Sequence, residues 1–198
     1  MRNQGFIQFP SLAPVDEREV YRYVGGRGEA DGQVRALLQE CEEEALPTFS
    51  YKACFLELSL EEFFARFGTC ALTETRLCGC ERVLVFAASV GLGIDRLIAR
   101  YASTYTAKAL LLQALGAERV EALCEAVCER LDEDYAKQGL RLDARFSAGY
   151  GDFPLSAQTT FFQLLDCNRK LGLTLNESLM MSPSKSVTAA VGLKKIEK

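Results

Sequence analysis

The stretch Arg141-Leu-Asp-Ala-Arg-Phe-Ser-Ala-Gly-Tyr-Gly-Asp-Phe-Pro-Leu155 decides the fold of this chain. It begins as an alternating run in which Leu142, Ala144 and Phe146 are apolar and the residues between them are charged or polar. A period of two predicts a half-buried β-strand over the first seven residues, with these three side chains on one face. The glycine-rich corner at residues 149–152 then ends the strand, and the proline that follows has no N–H to continue the ladder.

The same stretch contains a candidate anion site. Arg145 lies on the predicted strand, four residues before Gly149 and five before Tyr150. An arginine can bind a carboxylate through two parallel hydrogen bonds, and a glycine allows a ligand to approach the backbone closely. A tyrosine adds an apolar face with a hydroxyl group. The residues alone favour a solvated strand arginine, and the anion site stays open beside it at this point.

Length and composition predict one globular domain over residues 1–198, with a loop-like segment at residues 1–15. Hydrophobic residues make up 48% and charged residues 25% of the chain, which is typical of globular proteins. The net charge of -4 argues against nucleic acid as a partner, since binding phosphates needs a basic face. We expect no membrane association and a cytoplasmic location, because no apolar run reaches roughly 18 residues and no signal peptide is recognisable.

Eight cysteines and the complete lack of histidine limit the possible chemistry. Cys78 and Cys80 form C-x-C, and Cys124 and Cys128 are one helical turn apart, but no paired C-x-x-C motifs occur. The spacing predicts reduced structural thiols and leaves an iron–sulfur or zinc site as an alternative. Without an imidazole base, any reaction must use carboxylates, lysine, tyrosine or the positioning of reactants.

Hydrophobic periodicity predicts the other elements of the chain. Val83–Ala88 is continuously apolar and therefore predicted to be a central strand buried on both faces. Residues 173–181 are predicted to be irregular with short extended pieces, and the tail at 194–198 to be frayed. Further predicted strands lie at Val20–Val24, Phe49–Leu58 and Ser186–Leu193, and predicted helices at Ala30–Leu46, Thr73–Leu77, 94–113, 118–137 and Ser156–Asp166.

Three local patterns refine this outline. Asp16 and Ser59 are predicted helix caps, the latter in a capping box with Glu62. The glycine pair in Gly91-Leu-Gly-Ile-Asp95 lacks the rest of a phosphate-loop motif, so we interpret it as a tight turn. Glu121, Glu125 and Glu129 repeat every fourth residue beside an apolar stripe and repel one another. They form a solvated acidic edge, or else a cation holds one of them.

The second half of the chain resembles the activation domain of cobalamin-dependent methionine synthase, and more closely the short free-standing proteins related to it. Arg145-Phe-Ser-Ala-Gly-Tyr150 matches the R-x-x-x-G-Y signature that this family uses for S-adenosylmethionine. Residues 173–183, followed by Ser186-Val187, match its L-T-E-S…M…P…S-V block. The resemblance spans residues 80–193 and also includes Gly91–Asp95 and the run from Ala114 to Leu131.

The resemblance implies an α+β fold, with a twisted, mainly antiparallel sheet and helices packed around it. It also implies that Arg145 binds the methionyl carboxylate of S-adenosylmethionine and that Gly149 and Tyr150 pack against the ligand. Ala148, inside the motif, belongs to the same substrate-binding set. By alignment, Glu121 supplies the helix glutamate that completes the family's site, where its charge suits a sulfonium or ammonium group.

The function implied by the resemblance is rescue of inactive cob(II)alamin, as part of a cobalamin-dependent methyltransferase system. S-adenosylmethionine supplies a methyl group and a reduced flavodoxin-type donor an electron. A chain without histidine lacks the cobalamin-binding D-x-H-x-x-G motif. The cobalamin is therefore expected on a partner, either a methionine synthase or another corrinoid protein.

Two features of the family have no recognisable counterpart in the sequence. One is an aspartate-bearing segment near the start of the domain, and the other is a tyrosine-containing extension after the last strand. These departures keep a second hypothesis open, namely a docking module for a corrinoid methyltransferase that has lost its ligand. A cysteine-based metal or redox protein is the third hypothesis.

Overall fold

The computed structural model describes residues 3–26 and 31–196. These residues form a five-stranded antiparallel sheet, a separate two-stranded sheet, and helices on both faces of the larger sheet. The strands are β1 Gln4–Phe9, β2 Tyr51–Ser59, β3 Arg82–Ser89, β4 Leu140–Leu142, β5 Thr174–Leu175, β6 Met181–Ser182 and β7 Ser186–Lys195. The helices are α1 Glu17–Tyr23, α2 Gly32–Ala45, α3 Leu60–Phe67, α4 Ala71–Leu77, α5 Gly93–Tyr101, α6 Thr106–Ala136, α7 Ala157–Leu165 and α8 Cys167–Leu171, with a 3-10 turn at Leu46–Thr48.

The large sheet has the strand order β1-β2-β3-β7-β4, and every neighbouring pair is antiparallel. β3 lies at its centre, and Val83 to Ser89 are all buried. The predicted central strand and the predicted α+β class with an antiparallel sheet are therefore confirmed. β5 and β6 pair in the small sheet, which confirms the short extended pieces expected at 173–181.

Two hydrophobic cores cover the two faces of the sheet. On one face, α1, α2, α5 and α6 pack over side chains such as Leu84 and Phe86. On the other, α3, α4, α7 and α8 pack over Val83, Val85 and a group of phenylalanines. Alternate residues of β3 thus point into different cores, as a strand buried on both faces requires. The layers are helix, sheet, helix.

The N-terminal predictions at residues 1–15 and Val20–Val24 are wrong. Gln4–Phe9 is not a loop but the edge strand β1, which pairs with β2 and leaves Phe6 half exposed. Val20–Val24 is not a strand, because α1 covers Glu17–Tyr23. Val20 and Val24 are four residues apart and share a helical face, so the same sequence also fits a helix. The predicted cap is present, since the Asp16 carboxylate accepts hydrogen bonds from the first turn.

The predicted break between helices 94–113 and 118–137 is also wrong. α5 ends at Tyr101, and α6 runs without interruption from Thr106 through Gly116. A Cβ at Gly116 would lie 3.0 Å from Lys185 Cγ and 3.1 Å from Ile94 Cγ1. The glycine therefore lets the loop before β7 and the start of α5 approach α6 closely, and it does not stop the helix.

Most other predicted elements are confirmed with small shifts. α2, β2, α4 and α7 match their predictions, although the expected start of the first helix at Ala30 lies outside the described residues. The capping box of Ser59 and Glu62 is present at the start of α3. Ser156 occupies the cap position of α7 without a side-chain capping bond. The tail is not frayed through Lys195, which still pairs in β7, while Glu197 and Lys198 lie outside the described residues.

The glycine pair before α5 forms the predicted tight turn. Gly91 has a left-handed φ of 85°, and a Cβ at Gly93 would lie 2.4 Å from the carbonyl oxygen of Thr48. Neither position tolerates a larger residue without a shift of the backbone.

Candidate functional site

The segment after β4 contains one extra residue relative to its partner strand. Leu142 faces Leu193, whereas Phe146 forms a bridge with Ala190. Three residues lie between Leu142 and Phe146, whereas only two lie between their partners Leu193 and Ala190 on β7. This is a β-bulge, a feature that bends a strand and reorients its side chains. The prediction of one regular strand with a single apolar face is therefore wrong. Leu142 packs against the core under α6, and Phe146 lies in the opposite core.

The bulge directs Arg145 toward α6. Its Nη2 atom donates a hydrogen bond to Glu121 Oε2 on that helix. The Arg145 side chain is 24% exposed and that of Glu121 40%, so the ion pair is partly shielded from water. Burial works against the charge of Arg145, but the Cys124 sulfur and the Glu121 carboxylate outweigh it, and the pKa of Arg145 is raised. The structure thus gives one member of the acidic edge a cationic partner.

The glycine corner follows directly. Gly149 and Gly151 have φ values of 88° and 54°, in the left-handed region that favours glycine. The Gly149 N–H donates to the Phe153 carbonyl at 2.8 Å, and the Tyr150 N–H donates to the Ser147 carbonyl at 3.1 Å. These bonds close the turn and project the Tyr150 side chain into solvent, where it is 53% exposed.

Two contacts fix the corner on the body of the protein. The Asp152 carboxylate accepts hydrogen bonds from the backbone N–H groups of Ala71 at 2.7 Å and Leu72 at 3.0 Å, at the start of α4. Those bonds, with that of Leu72 contributing most, lower the pKa of Asp152. Phe153 is buried among aromatic rings of the second core, 5.7 Å from the ring of Phe146. Tyr150 is therefore exposed but rigidly supported.

A cavity of about 160 Å³ lies between the corner, α6 and the segment before β7. It brings together four predicted site residues, Arg145, Ala148, Tyr150 and Glu121, and Gly149 forms the turn beside it without lining it. The second sequence block contributes as well, since the cavity is also lined by Met181, Ser186 and Val187. Glu121 and Val187, which are 66 positions apart in the chain, thus meet at one place.

A second, polar cavity of about 420 Å³ lies on the other side of Glu121. Asp16, the cap of α1, lines it together with Glu19, Arg22 and Tyr23 of that helix, and α6 contributes Glu118 and Glu125 in addition to Glu121. Burial, followed by the charge of Glu121, raises the pKa of Tyr23. The sequence interpretation gave these residues no place in a site, because it treated Asp16 only as a helix cap and assigned Tyr23 to a strand over Val20–Val24. The helix cap at Asp16 followed by two valines four residues apart was the signal that could have revealed the helix.

A buried arginine holds the segment that leads into α1. Arg119 is 2% exposed and donates to the Ala13 carbonyl at 2.7 Å, to the Pro14 carbonyl at 3.2 Å and to the adjacent Glu118 carboxylate. Glu118 in turn accepts the Asp16 N–H at 3.2 Å. α6 therefore determines where the carboxylates of α1 lie.

The charges of this region suit a ligand that carries both signs. Arg145 offers a guanidinium to a carboxylate. In the neighbouring cavity Arg22 pairs with Glu19 at 2.6 Å, and the remaining carboxylates, Asp16, Glu118, Glu121 and Glu125, leave an excess of negative charge that favours a cationic group. Comparison with protein families gives a match over residues 73–195 to the model described as "Vitamin B12 dependent methionine synthase, activation domain". This chain belongs to that activation-domain family.

A solved structure shares the fold of this activation-domain chain. The crystal structure of the MetH reactivation domain bound to AdoHcy superposes with a TM-score of 0.69 over 99% of this chain and 80% of that one, at 15% sequence identity. A comparison with curated proteins returns no match. The family expected from the motifs is confirmed, and so is its fold.

All eight cysteines of this activation-domain chain are free, and five are buried: Cys41, Cys54, Cys80, Cys124 and Cys167. Within residues 3–26 and 31–196, no three cysteine, aspartate or glutamate side chains cluster in a way that could hold a metal ion. None of the helices in the described part combines the length and apolar character of a membrane span.

Proposed function

We propose that this chain binds S-adenosylmethionine and acts as a reactivation subunit for a cobalamin-dependent methionine synthase or another corrinoid protein. The observation that carries the proposal is the meeting of Arg145, Glu121 and Tyr150 at one cavity, in a chain of the activation-domain family. The reaction it would support is the reductive methylation of cob(II)alamin held by that partner. The electron would come from a reduced flavodoxin-type donor, and the cytoplasm is the compartment in which free thiols such as these persist.

Each ligand group has a residue suited to it. Arg145 binds the carboxylate, and its position within the bulge turns its guanidinium toward the cavity. Glu121 attracts the ammonium or sulfonium group. The small side chain of Ala148 leaves room for the ligand along the wall of the site, and Gly149 forms the turn that places Tyr150 beside it. Tyr150 covers the ligand with its ring.

The carboxylate of Asp16 completes this assignment. The family carries an aspartate-bearing segment near the start of the domain, for which the sequence showed no counterpart. Asp16 lines the same cavity as Glu121 and supplies a negative charge from an N-terminal element, whereas Glu19 beside it pairs with Arg22 at 2.6 Å. We assign Asp16 the role of that segment.

The chain contributes to the reaction by positioning the methyl donor, and this role requires no histidine. S-adenosylmethionine supplies the methyl group when bound, and the chain orients it toward the corrinoid of the partner. Tyr150, which lines the cavity, is 53% exposed; Leu155, which lies beside Gly149, is 41% exposed, and Met180, next to Met181 of the cavity wall, is 62% exposed. Such a rim is suited to dock a partner and exclude water from the reacting groups.

Calorimetric titration with S-adenosylmethionine tests the proposal. Arg145→Ala should weaken binding roughly ten- to a hundredfold, because a charge-assisted contact is worth about 1.5–3 kcal/mol. Arg141→Ala is the matched control, since Arg141 is exposed, four residues away, and has no ion pair to any described residue. Absence of binding heat and of any thermal shift at millimolar ligand would favour the docking-module hypothesis instead.

A further inference from the structure

We propose that Glu121 is a gate that closes the ligand site by occupying Arg145. A ligand carboxylate that binds the guanidinium through both Nη atoms must displace the glutamate, because Glu121 already occupies Nη2. This inference rests on the proposed function, because the competing carboxylate is that of S-adenosylmethionine. It assigns Glu121 a role in the rate of binding that is separate from its contact with the bound ligand.

Glu121 and the ligand carboxylate compete for the same guanidinium group. Arg145 Nη2 already donates to Glu121 Oε2. The backbone on both sides of the pair is held in place, since Phe146 bridges to Ala190 and Glu121 lies in the middle of the 31-residue helix α6. The side chains must therefore exchange partners while their backbones stay where they are.

The cavity beside Arg145 is too small for the ligand while Glu121 holds its position. Pockets for ligands of this size measure about 300–1,000 Å³, whereas the cavity beside Arg145 measures about 160 Å³. Glu121 lines this cavity and also the 420 Å³ cavity next to α1. Its side chain is thus the wall that the two spaces share. A rotation of that one side chain away from Arg145 joins them and makes room for the ligand.

Glu121 still contributes to binding after it has left Arg145. Once released, its carboxylate remains within reach of the cationic part of a ligand whose own carboxylate has taken its place. The protein exchanges one ion pair for two. Glu121 consequently affects both rates, since it must open before association and it retains the ligand against dissociation.

Stopped-flow binding of S-adenosylmethionine to wild-type protein and to Glu121→Gln tests the gate. We expect the association rate constant to rise roughly fivefold in the variant, the effect of removing one partly exposed ion pair, and the dissociation rate constant to rise as well. Glu125→Gln is the matched control. It removes the same charge one helical turn away, from a residue with no ion pair in the described chain. Because the ligand is cationic, losing an acidic side chain alone should leave association unchanged or slow it. An unchanged or lower association rate in Glu121→Gln would overturn the gate.

A second measurement separates failure of the gate from failure of the proposed function. Phenylglyoxal modifies accessible guanidinium groups, and peptide mass spectrometry reports its rate at Arg145 without any ligand. We expect Arg145 to react several-fold faster in Glu121→Gln than in wild type or in Glu125→Gln. Equal rates in the three proteins would overturn the gate even if S-adenosylmethionine binds. Faster labelling in Glu121→Gln without any S-adenosylmethionine binding would support the gate and reject the proposed ligand.

Discussion

The aromatic support of the glycine corner makes a quantitative prediction about stability. Phe153 is 1% exposed, and its ring centroid lies 5.7 Å from that of Phe146, 6.1 Å from Phe67 and 6.3 Å from Phe161. Phe153→Ala removes a fully buried ring and leaves a cavity among three others. The loss of transfer energy and of packing should lower the free energy of unfolding by about 3–5 kcal/mol.

A matched control lies three residues away in the same corner. Tyr150→Ala deletes a ring of similar size from a side chain that is 53% exposed, so stability should change by no more than about 0.5 kcal/mol. The chain has no tryptophan, so urea unfolding is best followed by far-ultraviolet circular dichroism. The reasoning would be refuted if Phe153→Ala cost less than about 1 kcal/mol, or if Tyr150→Ala cost as much as Phe153→Ala.

Two further predictions concern other buried groups. Arg119→Met leaves the buried Glu118 carboxylate without its cation and should cost about 3–5 kcal/mol of unfolding free energy, whereas Arg130→Met breaks an exposed pair and should cost under about 1 kcal/mol. Equal losses in urea unfolding would contradict this. Burial raises the pKa of the Cys124 thiol to about 12, so at pH 8 it stays protonated and unreactive, and iodoacetamide should label the exposed Cys78 first. Mass spectrometry that finds Cys124 labelled as fast as Cys78 would contradict the burial argument.

The centre of the fold was predictable because its signals are strong and local. Val83–Ala88 is a continuous apolar run, and a strand of that kind is stable only between two layers. The caps at Asp16 and Ser59 were recognisable for a similar reason, because one side chain satisfies the N–H groups of its own first turn.

The errors arose where a short pattern fits two structures or where a distant contact decides. Val20 and Val24 alternate with tyrosines as a strand would, but they also share a helical face, and packing on α6 selects the helix. Gly116 looked like a helix end, but its small size serves contact with Lys185 and Ile94. Neither the packing of α1 on α6 nor the contacts of Gly116 can be predicted from the residues next to them in the sequence.

The sequence indicated four of the residues that line the smaller cavity, but neither the residues of α1 nor the geometry. The motif indicated Arg145 and Tyr150, and alignment indicated Glu121. The regular alternation of residues 141–147 suggested that Leu142 and Phe146 share a face. The bulge appears only in the register with β7, and it is what turns Arg145 toward α6.

The most direct test of the account is a reactivation assay. A cobalamin-dependent methionine synthase fragment lacking its own activation domain would be held as cob(II)alamin and mixed with reduced flavodoxin and S-adenosylmethionine. The corrin absorption spectrum is then followed with and without this chain. The account predicts conversion to methylcobalamin with wild-type protein and with Arg141→Ala, and little conversion with Arg145→Ala. Conversion that is equally fast without the chain, or with Arg145→Ala in its place, would contradict it.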